Sequence, residues 1–185
     1  MHIAIRDIKS YIMNESGFNM KPQDVVILFK IIALGENNWT QSMLSSQLGI
    51  SQSEISESIK RSKYSGLINT IDNHVNKRSF FDFVINGLKV VFPQRPGAIV
   101  RGVPTAHSAP FFQNKFYSEE QYVWPSGKGN VRGQAIIPLY KTVTSAIEND
   151  EFLYQLLALA DIIRVGRARE KKMAIEMIEQ HLQYA

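Results

Sequence analysis

Between Trp39 and Ile68 the apolar positions recur at helical spacing, with short polar side chains filling the gaps. Leu44 and Leu48 are four apart and share a face of a helix that starts at Thr40, a good N-cap, and ends at Leu48. Gly49 follows, suited to a sharp turn at positive φ, and Ile50 plugs the space between two helices. Ser51 and Glu54 make a capping box for a second helix, whose buried stripe is Ile55 and Ile59, roughly continued by Tyr64. Its outward face reads Gln52, Ser53, Ser56, Glu57 and Lys60, with Arg61 and Lys63 flanking.

The rest of the chain supplies what this pair packs against. Ile5, Ile8 and Ile12 mark an amphipathic helix over residues 2–14, and a linker with Gly17 follows. Lys21-Pro22 opens a helix that is apolar on more than one side and ends at Gly35, with Pro22 at the first helical position. After Ile68 one short strand to Ile71 and a turn at Asp72-Asn73 are expected. Phe80, Phe81, Val84, Ile85, Leu88, Val91 and Phe92 then predict a helix from Lys77 to Phe92. Gly87 inside it costs about 1 kcal/mol against alanine and implies close packing.

Pro93 ends that helix. The prolines and glycines that follow make RGVPTAHSAPFF extended, and YVWPSGKGNVRGQAII reads as two extended pieces around a turn at Ser126 to Asn130. A loop this long, carrying Phe111, Phe112, Phe116, Tyr117 and Trp124, drapes over a core. From Thr144 the chain is helical again. Phe152 to Ile163 form a buried helix capped by Gly166, and residues Arg167 to Leu182 a last helix paired with it. The expected fold is mainly α. Residues 1–92 are expected to form one helical unit, 93–143 an extended loop-rich segment, and 144–185 a helical hairpin.

Composition narrows the function. The chain has 185 residues, 44% of them hydrophobic, and a net charge of +4, which suits nucleic acid without demanding it. There are no cysteines, so disulfides, cysteine zinc sites and thiol nucleophiles are excluded. The charged start MHIAIRDIKSYI is not a signal peptide, and no apolar run approaches the ~20 residues of a membrane helix, so a cytoplasmic protein is expected. There is no internal repeat.

Enzyme chemistry finds little support. His107 adjoins Ser108, but no G-x-S-x-G elbow is present, and a histidine pinning a loop is the simpler reading. His2, His74, His107 and His181 lack ligand spacing, so neither metal nor cofactor is expected. Ser126-Gly-Lys-Gly-Asn130 lacks the phosphate-loop spacing and reads as a turn. Asp161 and Arg164, three apart in an apolar helix, can pair internally. The sharper alternative is an anion, effector or partner site built by Arg101, Arg132, Arg164 and Arg167.

Leu44, Leu48, Gly49, Ile50, Ser51, Ile55, Ile59, Gly66, Leu67 and Ile68 resemble the helix-turn-helix of bacterial transcription regulators, nearest to the winged MarR type. The resemblance covers roughly residues 20 to 70. A helix replacing the second wing strand departs from that pattern and leaves the wing vestigial or missing. NGLKVVFP, RGVPTAHSAP and ADIIRVGRAREKK are also similar to stretches of bacterial helix-turn-helix proteins of unassigned ligand. The resemblance implies double-stranded DNA as partner and a homodimer on an inverted repeat. The seam would use the N-terminal helix or Ile175, Ile178 and Leu182 of the last one. Gln52, Ser53 and Ser56 are then placed to read bases. Thr40, Gln41, Lys60, Arg61 and Lys63 are placed to hold phosphate, with Lys77 and Arg78 counted beside them. Glu57 either reads a cytosine amine or is held back by Arg61. The second reading is an interaction module, such as an antitoxin-like partner that regulates its own operon.

Overall fold

Every residue from Asp24 to Ile32 is buried, and the fold is arranged around the helix that carries them. The computed structural model describes residues 19–35, 39–112, 115 and 120–184. The expected N-terminal helix, with Ile5, Ile8 and Ile12, lies outside them. Helix α1 (Pro22–Ala33) starts at the proline, ends at Leu34 and is followed by Gly35 at φ 74°. Phe29 meets Phe80 edge to face, with centroids 4.9 Å apart. α2 (Gln41–Leu48) and α3 (Gln52–Tyr64) pack on each other and on α1 through Leu44, Leu48, Ile50, Ile55 and Ile59. Truncating any one of these to alanine costs about 2–5 kcal/mol.

The expected helix from Lys77 to Phe92 has a defect in its middle. α4 (Lys77–Asp82) passes through a π-helical turn, Phe83–Gly87, into α5 (Leu88–Val91). A Cβ on Gly87 would lie 2.9 Å from the Phe83 ring, so the glycine lets that ring fold onto the widened turn. The close packing expected at Gly87 is there.

The segment 93–143 holds a small sheet that the expected loop-rich segment does not include. β1 (Ile99–Pro104) runs antiparallel to β2 (Tyr122–Pro125) along one half and to β3 (Val131–Ala135) along the other. β2 and β3 run parallel and meet at Tyr122↔Gln134 and Val123↔Ala135. The two extended pieces expected around residues 126–130 are β2 and β3. Their connection crosses β1 where Gly129 sits on Gly102: a Cβ on Gly129 would fall 2.0 Å from the Gly102 carbonyl carbon. No side chain fits there. Two short 3₁₀ turns, Ala106–Ser108 and Pro110–Phe112, follow β1.

Helices α6 (Val143–Ala146), α7 (Glu151–Val165) and α8 (Ala168–Tyr184) close the chain, and α7 and α8 pack as the expected pair. Gly166 caps α7 in an extended conformation, φ −65°, rather than the left-handed one. α7 lies against α1, and its apolar residues join the same core as α1, α2 and α3. Ala174, Ile178 and Leu182 of α8 are buried inside this chain. The expectation that the last helix offers its apolar face to a second subunit is thereby corrected, because that face already covers the protein's own core. The result is a mainly helical protein with a small three-stranded sheet, and no helix of the described residues is long and apolar enough to cross a membrane.

Candidate nucleic-acid interface

The turn between α2 and α3 is set by local chemistry. Thr40 accepts a hydrogen bond from the Met43 amide at 3.1 Å, capping α2. Gly49 ends α2 at φ 62°, a left-handed conformation that favours glycine. Ser51 caps α3 by accepting from the Glu54 amide at 3.3 Å. The return half of the expected capping box differs: the Glu54 carboxylate accepts from the Ser51 hydroxyl at 3.2 Å and from the Tyr140 hydroxyl at 3.3 Å.

Ile55 and Ile59 bury the inner face of α3, while Gln52, Ser53, Glu57 and Lys60 stay exposed and Ser56 and Lys63 are half-buried. Thr40 and Gln41 are exposed at the start of α2. Tyr64 does not continue the inner stripe. It is 63% exposed, and Ser58 and Ser62 take the buried positions instead.

Arg61 is the clear correction among the expected phosphate contacts. It is 4% exposed. Its guanidinium meets Asp24 of α1 in a two-point ion pair, Nε–Oδ2 2.9 Å and Nη2–Oδ1 2.6 Å. A charge held this way welds α3 to α1 and is not available to a ligand. The Asp24 hydrogen bonds push the Arg61 guanidinium further up from an already high value. One sign was present in the sequence: Asp24 stands in the first turn of a helix that is apolar on more than one side, where a buried charge needs a partner. The partner is 37 residues away, and the spacing gives no clue to it.

Glu57 pairs with Lys60 at 2.8 Å rather than with Arg61, and the Lys60 ammonium holds the Glu57 carboxyl below its ordinary value. Both side chains are more than half exposed, so the pair is weak and opens at little cost. Arg78 is exposed and 3.3 Å from Asp82, and Lys77 is half-buried at the start of α4. Beyond α3 the chain makes a stub of a hairpin. Ile68 bridges Val75, Asn69 donates to the His74 carbonyl, and the tip carries Asn73 at φ 60° and Ile71 at 90% exposure.

The four arginines of the C-terminal half do not form one site. Arg164 is 5% exposed. It donates to Asp161 at 2.7 Å and to the carbonyls of Phe92 and Ile137, each at 3.1 Å. Asp161 also accepts from Trp124 at 2.6 Å and Thr105 at 2.8 Å. Burial pushes its carboxyl up, and Arg164 and the hydrogen bonds oppose that. This network joins α7 to the sheet, so the internal pair expected for Asp161 and Arg164 is present and the effector role for Arg164 is withdrawn. Arg101 and Arg132 are cross-strand neighbours on β1 and β3, and Arg101 donates to the Gly129 carbonyl. Arg167 is exposed, 3.8 Å from Glu120.

His107 is buried in its loop. Its Nε2 lies 2.8 Å from the Glu120 carbonyl oxygen, and its ring lies 4.6 Å from that of Tyr122. The histidine thus pins its loop through the Glu120 backbone, and Glu170 of α8 stands 3.9 Å from Nδ1. Among the described residues no group of three His, Asp or Glu side chains could hold a metal ion. No family model, no curated protein and no solved structure matches the chain.

Proposed function

We propose that the chain is a sequence-specific DNA-binding transcription regulator acting as a homodimer, with α2, the Gly49 turn and α3 as its helix-turn-helix. The observation that carries this reading is the outward face of α3. Its first turn exposes an amide and a hydroxyl, Gln52 and Ser53, and its later turns carry Lys60 and Lys63, above an inner face locked to α1. Short polar groups at the head of such a helix reach base edges, and cations further along reach phosphate. A bidentate glutamine–adenine contact is worth about 1–3 kcal/mol of discrimination. With α8 folded on its own core, the other expected seam, over residues 2–14, is the one that remains, and it lies outside the described residues.

The test is titration of Gln52→Ala and Lys60→Ala on duplexes selected from a random pool and on scrambled ones, at several salt concentrations. Gln52→Ala should lose base preference and keep its salt slope. Lys60→Ala should weaken all duplexes alike and lower the slope by about 0.9 per lost phosphate contact. Equal losses on both duplexes for Gln52→Ala would remove α3 as the reading element.

The second reading, an interaction module that regulates its own operon, is favoured by one observation. Val90, Val91, Ile99 and Ile137 are all about half exposed or more. Arg164 bridges the carbonyls of Phe92 and Ile137, which brings two of these stretches together. A chain that needs a co-expressed neighbour to stay in solution would favour this reading.

A further inference from the structure

The turn from α6 into α7 forms one wall of a cleft of about 930 Å³, large enough for a small molecule. Phe111 and Tyr154 also line it, with ring centroids 4.9 Å apart and planes at 85°. The Tyr154 ring is held in place, because its hydroxyl donates to the Pro104 carbonyl at 2.5 Å, and burial pushes that hydroxyl up to about 12. The charges in the lining are Glu148, Asp150, Glu151 and Lys128. Lys128 pairs with Glu148 at 3.1 Å, and the buried Lys30 pairs with Asp150 at 2.5 Å. Among the described residues that leaves the Glu151 carboxylate, at the first position of α7, unmatched by a cationic side chain.

We propose that this cleft binds a small organic ammonium ion. Aromatic faces attract a cation that is only weakly hydrated, and an unmatched carboxylate adds to that attraction. An anion would meet the excess negative charge. A hard metal ion wants a shell of oxygen ligands, and no such cluster exists among the described residues. Ser126, Thr144 and Ser145 supply further polar partners at the wall.

The site stands whether or not the chain binds DNA; its consequence for DNA rests on the proposed function. The wall that faces the ligand is tied to the α2–α3 turn. Thr142, just before α6, donates to the Leu48 carbonyl at 2.5 Å and packs where a Cβ on Gly49 would lie 3.3 Å away. Asp150, at the other end of the wall, holds Lys30 of α1. A ligand that prefers one placement of this wall therefore shifts the placement of α3.

The experiment uses the full chain and choline as the probe, with 3,3-dimethylbutan-1-ol as its uncharged isostere, followed by titration calorimetry. Choline should bind in about the millimolar range and the alcohol about fivefold more weakly. Glu151→Gln, at an exposed position, should weaken choline about threefold and leave the alcohol unchanged, and Phe111→Leu should weaken choline as well. Circular dichroism confirms that each variant is folded. Equal binding of choline and the alcohol, no binding of either at about 10 mM, or full affinity in Glu151→Gln would overturn the site. A second arm measures DNA affinity with and without choline. A change of about twofold or more in the wild type, reduced in Thr142→Val, is the expected coupling. Choline binding with unmoved DNA affinity would overturn the coupling alone. A chain that binds choline and no DNA would overturn the regulator reading alone.

Discussion

Arg61 and Asp24 form a fully buried two-point ion pair that fastens α3 to α1, their side chains only 5% and 0% exposed. Removing one partner strands the other charge in a dry core, a loss of about 3–5 kcal/mol. Asp24→Leu and Arg61→Met should each lower the urea midpoint strongly, and the double replacement should recover much of the loss. A single variant with unchanged stability would mean that the pair does not hold the helices together. Under the proposed function, any weakening of DNA binding in Arg61→Met should appear only together with that lost stability.

The crossing at Gly102 and Gly129 makes a second, sharply local prediction. Gly129→Ala would drive a methyl group into the backbone of β1 and should cost about 3 kcal/mol or more. Gly127 sits two residues earlier with nothing within 4 Å of its Cβ position, so Gly127→Ala should stay within about 0.5 kcal/mol of the wild type. Thermal unfolding of the two variants side by side checks this. Similar melting temperatures would mean that the connection does not cross β1 as described.

Acid should weaken the protein partly through His181. Burial, and then the nearby charge of Lys115, pushes its imidazole below the ordinary 6.5. The unfolded chain therefore takes up a proton near 6.5 that the folded chain refuses. The stabilisation is present above that value and is lost as pH falls from 6.5 through the lower folded value. Urea unfolding at about pH 8 and about pH 5.5 should show a smaller loss of stability in His181→Gln than in the wild type. An identical loss would place the acid sensitivity elsewhere.

Lys171 should be the most easily acylated lysine in the neutral range. Burial, reinforced by the adjacent Lys89, brings its ammonium down to about 8. At pH 8 about half of its amine is then free, against well under a hundredth for a lysine near 10.4. Limiting acetic anhydride followed by peptide mass mapping should find Lys171 modified first, and Lys89→Gln should slow that reaction. Labelling that spreads evenly over the exposed lysines would contradict the prediction.

What the sequence disclosed was set within a few residues. Thr40, Gly49 and Ser51 act on their own backbone neighbours, so their caps and turn could be read directly. The apolar stripe of α8 was equally visible, but periodicity says only that a face is buried, not by what. Ile178 and Leu182 turned out to cover their own chain. The sheet was missed because its strands are short, carry Gly102, Pro104 and Gly133, and gain their hydrogen bonds from partners tens of residues away. Arg61 was misplaced for a related reason. It flanks the outward face in sequence, and the carboxylate that draws it inward belongs to a different helix.

The burial of α1 on every side has a consequence for how the molecule comes apart. The residues that steady α3 and those that meet α7 belong to the same twelve-residue helix. A fragment ending after α5 would bare one flank of that helix to water, and a fragment beginning at β1 would lack it. Melting should therefore be a single concerted event, with the calorimetric and van't Hoff enthalpies equal and no surviving half. In a cell, damage anywhere in the chain would silence the exposed face of α3 together with everything else.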